Sequence, residues 1–172
     1  MQSLLDDLCD FNRIKLGLGI NIVPVDSDLG EVFADAADQL CTAHPGRRIE
    51  FSWKGRTRGL WDAVRLQQLL SNLVVNALKY GYADTPVRVA LSGSQTAVLL
   101  QVANSGPSIA PPIMEAMFEP LSRGPGHDCE RSNGLGLGLY IAAEIAKAHH
   151  GTIEAHSDES ATVFAVRLPR RS

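Results

Sequence analysis

The chain alternates between stretches with the helical spacing of apolar residues and stretches with the two-residue spacing of strands. The clearest helical stretch is 66–81, LQQLLSNLVVNALKYG, whose leucines and valines cover one side. A narrow polar stripe, within an arc of about 80°, runs along the other side. The stripe consists of Arg65, Gln68, Asn72, Asn76 and Lys79. Since asparagine is a mediocre helix former, the stripe indicates either a bound group or amides that cap backbone groups or face water.

The same spacing predicts further helices on either side of this one. Residues 1–16 form an amphipathic helix that needs a partner, and Asp28 is placed to cap a helix over 29–43. Another helix follows the glycine-rich stretch at 134–138 and stops at Gly151. The helical regions are therefore distributed along the whole chain.

Strands are predicted between these helices. The predicted strands are 20–26, 47–55, 57–61, 87–93, 97–104, 152–157 and 162–169, with a short helix at 113–117 and a long loop at 118–134. We expect 47–55 to pair with 57–61 as one hairpin, and 87–93 with 97–104 as a second. This order predicts an α/β (α+β) two-layer sandwich, in which helices cover one face of a mixed, largely antiparallel sheet.

The composition excludes several classes of function. A chain of 172 residues with 45% hydrophobic and 20% charged residues suits one globular domain. Its net charge of −3 and scattered basic residues give no field that would attract nucleic acid. Cys9, Cys41 and Cys129 lack metal-ligand spacing, which indicates thiols in a reducing compartment. No apolar run reaches the ~20 residues of a membrane span, so we expect a cytoplasmic domain without membrane contact, in a parent protein that could itself be anchored.

Gly134, Gly136 and Gly138 lead directly into a predicted helix and form the strongest local signal. Glycines let a backbone approach a ligand closely, and the free N–H groups at a helix start carry partial positive charge that suits phosphate oxygens. The stretch is not a dinucleotide fingerprint, because Leu139 stands where glycine is needed, and no Lys-Ser or Lys-Thr follows as in a Walker loop. It predicts either a phosphate site or an ordinary glycine-rich turn.

A second signal, VANSGPSI, lies at the end of a predicted strand. A tight turn on Gly106 and Pro107 would place the amide of Asn104 against a flat heterocycle. There the amide can accept from an amino group and donate to a ring nitrogen. The alternative is a common Asn-Ser-Gly turn without a ligand.

In this order, these stretches resemble the catalytic and ATP-binding domain of bacterial sensor histidine kinases, which are Bergerat-fold ATPases. The helix at 66–81 resembles their N box, NSGPSI their G1 box, FEPLSRG their F box, and NGLGLGLYIAAEIAKAHHG their G2 box. Residues 1–18 resemble the end of the second dimerisation helix, and 19–172 resemble the catalytic and ATP-binding domain. The resemblance covers nearly the whole chain and implies ATP and Mg²⁺ as ligands.

The resemblance also implies that the polar stripe faces the nucleotide, and it implies roles for the residues of the stripe. Asn76 is implied as the Mg²⁺ ligand, Asn72 as a supporting group of the same site, and Lys79 with Tyr80 as contacts to phosphate or ribose. Asn72, Asn76 and Lys79 are thus the implied catalytic residues. An amide oxygen is a hard ligand that suits Mg²⁺, which takes few protein ligands. Hydrolytic relatives carry a glutamate base where this chain has Asn72, so the amide favours phosphoryl transfer to a protein over rapid hydrolysis.

The other implied nucleotide contacts lie outside this helix. They are Asn104, Gly106, Ser108 and Ile109 in the G1 box, Phe118 at the base of the loop with Arg123 or Arg131 within it, Gly134, Leu135, Gly136, Leu137, Gly138 and Leu139 in the G2 box, and Thr162 on a late strand. The G1 box departs from the family pattern, since Asn104 replaces an aspartate and Ser108 replaces a glycine. An amide accepts a hydrogen bond from adenine without charge assistance, which predicts weaker adenine binding or a shifted nucleotide preference.

The histidines are informative because of what surrounds them. None of the five has the acidic neighbour and the Arg/Pro pattern of an acceptor histidine in these kinases. We therefore expect this chain to be a fragment that lacks the acceptor, which would lie on the dimerisation domain of a longer, homodimeric parent kinase. A response regulator is implied as a further partner. His149 and His150 end a helix, where the macrodipole favours their charged forms over a metal site.

Two alternatives stay open at this point. One is a nucleotide-binding regulatory module with weakened or lost kinase activity, which the altered G1 box would explain. The other is a serine kinase or ATPase of the same fold, against which Lys79, Tyr80 and the helix at 1–16 favour the histidine type. A purely structural interaction domain would leave the glycines and asparagines unexplained.

Overall fold

The architecture is that of a computed structural model, which describes residues 4–120 and 136–170. Its helices are α1 (Leu4–Lys15), α2 (Leu29–Ala43), α3 (Ala63–Tyr80), α4 (Pro111–Met117) and α5 (Gly138–Ala148). Its strands are β1 (Val25–Asp28), β2 (Ile49–Gly55), β3 (Arg58–Trp61), β4 (Val87–Gly93), β5 (Ala97–Asn104), β6 (Thr152–Ser157) and β7 (Thr162–Pro169). Most of the loop predicted at 118–134 falls outside the described residues.

One layer of the described molecule is a five-stranded sheet in the order β2-β4-β5-β7-β6. β2 runs parallel to β4, and the other neighbours are antiparallel. Because side chains alternate across a strand, inward residues of adjacent strands form rows, such as Val89, Val102 and Phe164. α2, α3 and α5 pack on this buried face. The predicted sandwich with a mixed, largely antiparallel sheet is confirmed.

α3 forms the centre of the helical layer because its apolar side is completely enclosed. Leu66, Leu70 and Leu73 have no exposed surface. The carboxylate of Asp62 caps the helix by accepting from the amide of Arg65 at 3.1 Å. The polar stripe therefore lies on the side of α3 that faces away from this core.

The predicted hairpin between β2 and β3 is wrong. β2 joins the large sheet beside β4, whereas β3 pairs with β1 in a separate two-stranded antiparallel sheet. The chain turns at Gly55, whose φ of 78° lies in the left-handed region. Thr57 is then buried against the start of α2, where its hydroxyl donates to the carboxylate of Asp28 and its carbonyl accepts from the amide of Leu29 at 3.2 Å. These bonds direct β3 away from β2.

The first strand is also displaced from its predicted position at 20–26. β1 covers Val25–Asp28, and no strand precedes it in the described chain. The amide of Val23 donates to the carboxylate of Asp62 at 2.8 Å, and Pro24 has no N–H to give to a ladder. Strand pairing therefore starts only after the proline.

α1 covers nearly the predicted helical stretch and packs on the helical layer through Phe11. The ring of Phe11 meets that of Tyr140 on α5 edge to face, with centroids 6.1 Å apart. Leu5 and Leu8 on the same helix are 68% and 39% exposed. The amphipathic face of α1 is thus only partly covered by the described residues. None of the described helices has the length and apolar character that a membrane crossing requires.

His149 does not carry the charge that its place at a helix end predicts. It is buried, its Nδ1 lies 2.9 Å from the carbonyl oxygen of Ile145, and its Nε2 accepts from the amide of Asp62 at 3.2 Å. An imidazole that accepts at Nε2 and donates at Nδ1 is neutral. Burial lowers the pKa of His149, and this desolvation outweighs the bond to Ile145, which raises it. The expectation of a cation stabilised by the macrodipole is wrong for this residue.

The stop of α5 uses a residue other than the predicted glycine. His150, with φ of 61°, takes the left-handed position, and the amide of Gly151 bonds the carbonyl of Ala146 at 2.8 Å. Gly151 is needed for close packing, since an added Cβ would lie 2.3 Å from the carbonyl oxygen of Arg167 on β7. The glycine therefore allows the end of α5 to pack closely on β7.

Candidate functional site

A cavity of about 390 Å³ lies between the carboxyl end of α3, the turn after β5, α4 and the start of β7. Its lining consists of Asn76, Lys79, Tyr80, Asn104, Pro107, Ser108, Ile109, Ala110, Ile113, Met117, Thr162 and Phe164. Three separate predicted stretches, the N box, the G1 box and the late strand, contribute to this lining. The fold therefore brings candidate residues from distant parts of the sequence to one cavity.

Asn104 and Thr162 form the polar floor of the cavity. They stand opposite each other in the pairing of β5 with β7 and are 5% and 2% exposed. The amide of Asn104 makes no side-chain hydrogen bond within the described part of the chain. Buried amides are normally satisfied, so a buried and open amide beside a cavity indicates a ligand that completes its bonds.

Apolar side chains form the walls above this floor. Ile109 and Ile113 line one part, and Met117 with Phe164 lines another. Phe118 does not line the cavity but meets Phe164 edge to face, with ring centroids 6.0 Å apart. Apolar walls around a small polar floor suit a flat heterocycle.

Ser157 is a residue of the site that sequence reasoning missed. Its hydroxyl accepts from the amide of Ile109 at 2.9 Å and lies 2.8 Å from the hydroxyl of Thr162. This arrangement ties the turn after β5 to the edge of β7. The signal was the pairing of β6 with β7, which places Ser157 directly opposite Thr162, and that pairing depends on a register that the sequence did not fix.

The end of α3 and the turn after β5 approach each other through two glycines. An added Cβ on Gly106 would lie 2.8 Å from the carbonyl oxygen of Tyr80, and one on Gly81 would lie 3.1 Å from Nδ2 of Asn104. The amide of Tyr82 also donates to the carbonyl of Ser105 at 2.7 Å. Gly106 therefore acts through close backbone packing that holds Asn104 beside α3.

Arg47 holds this same segment from outside the cavity. Its guanidinium donates to the carbonyl of Leu78 at 2.8 Å and to that of Tyr82 at 3.3 Å. These acceptors lie on either side of Gly81, at the end of α3. A cation at a helix carboxyl terminus is favoured by the macrodipole. No local pattern singles out this arginine, because its partners are carbonyl groups 31 and 35 residues away.

The two asparagines of the stripe have different neighbours. Asn72 donates through Nδ2 to the carbonyl oxygen of Gly138 at 3.0 Å, which joins α3 to the start of α5. Asn76 lines the cavity one turn further along. Lys79, also on the lining, places its ammonium 5.7 Å from the ring centroid of Tyr80. The N box and the G2 box are thus adjacent, as the resemblance implies.

The other end of the stripe does not face the cavity. Arg65 makes two hydrogen bonds to the carboxylate of Asp10, at 2.8 and 3.1 Å, and a third to Gln68 at 2.9 Å. Gln68 in turn donates to Asp10 at 3.3 Å. The interpretation that the whole stripe faces a nucleotide is therefore wrong for Arg65 and Gln68, because α1 supplies their partner.

The start of α5 presents main-chain groups rather than side chains. Gly136 has φ of 73°, which favours glycine, and Leu137 is the N-cap without a capping side chain. The first helical bond runs from Ile141 to Leu137 at 2.8 Å, so the amides just before Ile141 point out of the helix. Leu137 and Leu139 bury their side chains in the core, which leaves only their backbone for a ligand.

The predicted contacts Arg123, Arg131, Gly134 and Leu135 lie outside the described residues.

Asn76 is the predicted Mg²⁺ ligand, and its half-buried amide can supply one oxygen to such an ion. Within 4–120 and 136–170, no three or more His, Cys, Asp and Glu side chains are grouped to hold a metal. A single amide oxygen suits Mg²⁺ that takes most of its ligands from phosphate and water. The donor set therefore fits the ion together with a phosphate ligand.

Comparison with known proteins gives matches over most of the chain. The sequence model for "Histidine kinase-, DNA gyrase B-, and HSP90-like ATPase" matches residues 61–172. A bacteriophytochrome from Pseudomonas aeruginosa is 32% identical over 171 residues, covering 99% of this chain and 24% of its own length. The probable sensor histidine kinase TcrY from Mycobacterium tuberculosis is 34% identical over 170 residues, covering 98% of this chain and 35% of its own length.

A solved structure, that of full-length ShkA, shares the fold. It superposes with a TM-score of 0.81 at 24% sequence identity, covering 99% of this chain and 36% of ShkA. The chain thus spans about a quarter to a third of the length of the curated relatives described above.

Proposed function

The chain belongs to the histidine kinase-, DNA gyrase B- and HSP90-like ATPase family, and on that premise we propose that it transfers the γ-phosphoryl group of ATP to a histidine. Its similarity to sensor histidine kinases identifies the chain as a catalytic and ATP-binding domain of that type. The acceptor histidine would belong to the dimerisation domain of the parent kinase, as part of two-component signal transduction.

The observation that carries this proposal is the open amide of Asn104. It is buried, lacks a described protein partner and forms a cavity floor with Thr162. A purine base between the apolar walls would give this amide its hydrogen bonds, and its ring would exclude water from them. ShkA, whose fold is similar, was solved in complex with AMPPNP, which supports an adenine nucleotide here.

The phosphates would extend from the base toward α5. Lys79 brings a positive charge to the cavity rim, and the outward amides at the start of α5 favour anionic oxygens. Asn72 holds these two elements together through its bond to Gly138. Asn76 would bind Mg²⁺, whose role is to offset negative charge on the phosphates.

The arrangement favours transfer over hydrolysis. In the transfer, the bond between the γ-phosphorus and its bridging oxygen breaks, ADP leaves with the electron pair, and an imidazole nitrogen forms the new bond to phosphorus. The chain would contribute by positioning, which is the main source of rate in such reactions. Asn72 is an amide whose nitrogen already donates to Gly138, so it cannot take a proton from an attacking water.

The proposal also includes partners. We infer a homodimeric parent kinase, a response regulator that receives the phosphoryl group, and a location in the cytoplasm. The exposed Leu5 and Leu8 on α1 support pairing of this helix with the rest of a dimerisation domain.

Transfer can be measured directly with a separately expressed dimerisation domain. The chain is incubated with γ-³²P-labelled ATP, Mg²⁺ and that domain, and acid-labile label on the domain is counted. Asn76→Ala should lower the labelling rate at least about tenfold, since it removes the proposed Mg²⁺ ligand. Val75→Ala, at the neighbouring 43% exposed position, is the matched control and should label normally. Equal labelling by both variants would contradict the role of Asn76.

A second candidate is a nucleotide-binding regulatory module with weakened or lost kinase activity. The observation in its favour is that the cavity floor carries no charge, because Asn104 stands where the family has an aspartate. ATP binding by the wild type without any label on the dimerisation domain would select this candidate.

A further inference from the structure

We infer that the cavity floor does not distinguish a 6-amino from a 6-oxo purine, so that the chain binds inosine-type nucleoside triphosphates nearly as well as ATP. The inference rests on the proposed nucleotide function and specifies its substrate class. It depends on two polar groups, Asn104 and Thr162, whose hydrogen-bonding direction is not fixed by the protein.

The amide of Asn104 is free to present either end. No described side-chain hydrogen bond holds it, and its nearest neighbours include Gly81 and Gly106, on which an added Cβ would lie 3.1 and 3.4 Å from Nδ2. Two glycines thus leave space where a side chain would restrict the amide. Rotation by half a turn exchanges the carbonyl acceptor for the NH₂ donor.

The hydroxyl of Thr162 can either donate or accept a hydrogen bond, for a different reason. It lies 2.8 Å from the hydroxyl of Ser157, and either oxygen can be the donor. Because Ser157 also accepts from the amide of Ile109, it can accept a second bond from Thr162 or donate to it. In the first case Thr162 presents a lone pair to the cavity, and in the second it presents a proton.

The two purine classes offer opposite patterns to such a floor. Adenine presents an amino donor beside a ring-nitrogen acceptor, whereas a 6-oxopurine presents a carbonyl acceptor beside a ring N–H donor. An amide can form both bonds with either pattern by rotating. A carboxylate only accepts, so it would pair with adenine and repel the 6-oxo group. Among the described residues of the lining, the charged side chain is that of Lys79, which is exposed at the rim.

The test compares ATP with ITP, which carries a 6-oxo group and no 2-amino group. Calorimetric titration of the chain with each nucleotide and Mg²⁺ should give dissociation constants within about fivefold of each other for the wild type. Asn104→Asp should retain ATP binding and weaken ITP binding at least about 30-fold. Asn21→Asp adds the same charge at an exposed position outside the lining and should leave the ratio unchanged.

The outcomes separate this inference from the proposed function. A wild type that binds ATP more than about 100-fold tighter than ITP would overturn the inference and leave ATP binding intact. An Asn104→Asp variant with circular dichroism like the wild type and an unchanged ratio would overturn it as well. Failure of both nucleotides to bind would overturn the proposed function itself. The wild-type ratio decides the matter even if the added carboxylate prevents folding.

Discussion

The two halves of the polar stripe on α3 have similar chemistry but differ in their hydrogen-bond partners. At the amino-terminal half, Arg65 and Gln68 are closed by Asp10 in a network of bonds between 2.8 and 3.3 Å. At the carboxyl-terminal half, Asn76 lines a cavity whose floor includes the open amide of Asn104. The hydrogen bonds of the amino-terminal half are completed by the protein, although Asp10, Arg65 and Gln68 also line a separate cavity, whereas the buried amide of Asn104 beside the carboxyl-terminal half has no described protein partner.

This difference shows how much polar residues within an apolar helix indicate about their partners. A polar stripe predicts that something polar meets it, because buried polar groups are satisfied in native structures. Whether the partner is protein or ligand depends on contacts that are distant in sequence, and Asp10 is 55 residues from Arg65. The closed half is expected to govern stability and the open half nucleotide binding, and four changes test that division.

The largest expected effect comes from replacing the amide of Asn104 by an apolar side chain. Asn104→Leu removes the amide from the cavity floor and should weaken ATP binding about 100-fold, because the purine loses its polar partners in a dry site. The melting temperature should change little, since the substitution breaks no hydrogen bond that the described residues make to this amide. Titration calorimetry and thermal unfolding check both results, and a lower melting temperature with unchanged affinity would reverse the roles assigned to the two halves.

Opening the closed half should have the inverse effect. Asp10→Ala leaves the guanidinium of Arg65, 23% exposed, without its carboxylate and should cost about 2 kcal/mol of unfolding free energy. The affinity for ATP should change less than about twofold.

The matched control is Asp10→Leu combined with Arg65→Met, which removes both charges and should recover most of the stability. Urea unfolding measures each variant. A double variant as unstable as Asp10→Ala would show that the ion pair is not the source of the loss.

A smaller effect is expected from Ser157→Ala, which disturbs the open half indirectly. The amide of Ile109 loses its acceptor and Thr162 loses its neighbour. Affinity for ATP should fall about fivefold, equivalent to about 1 kcal/mol. Ser52→Ala, at an exposed position on β2, is the control, and the two variants should differ by that factor in titration calorimetry. Identical affinities would remove Ser157 from the site.

The smallest effect tests a second closed group, His149, through pH. Because burial lowers its pKa in the folded state below the ordinary 6.5, the unfolded state binds more protons between the two values. Its contribution to stability is therefore complete above pH 6.5 and is lost as pH falls through the folded-state pKa. As the pH falls below 6.5, the free energy of unfolding should decline more steeply for the wild type than for His149→Gln. His156→Gln, an exposed position, should follow the wild type.

Much of the fold could be predicted because local patterns determine it. The apolar side of α3, the caps at Asp28 and Asp62, and the alternation in β4, β5 and β7 are all encoded within a few residues. The pairing of β2 with β4 could not be predicted, since a two-residue connection to β3 is equally suited to a hairpin. The contacts of buried Thr57 decide the matter, and they are set by tertiary structure.

The candidate site divides in the same way. Asn76, Asn104 and Thr162 could be singled out because their residue types are unusual for their surroundings or match a family motif. Ser157 and Arg47 could not, because their partners are determined by strand register and by carbonyl groups at the end of α3. Residues that act on the backbone or through another side chain leave little trace in a single sequence.

The central claim, that a nucleotide completes the open half of the site and not the closed half, can be tested in one NMR titration. Side-chain amide signals of Asn76, Asn104 and Gln68 are followed while ATP and Mg²⁺ are added to the ¹⁵N-labelled chain. We expect the signals of Asn76 and Asn104 to shift until saturation and that of Gln68 to stay in place. A stationary Asn104 signal at saturating ATP, or a larger shift at Gln68, would contradict the account.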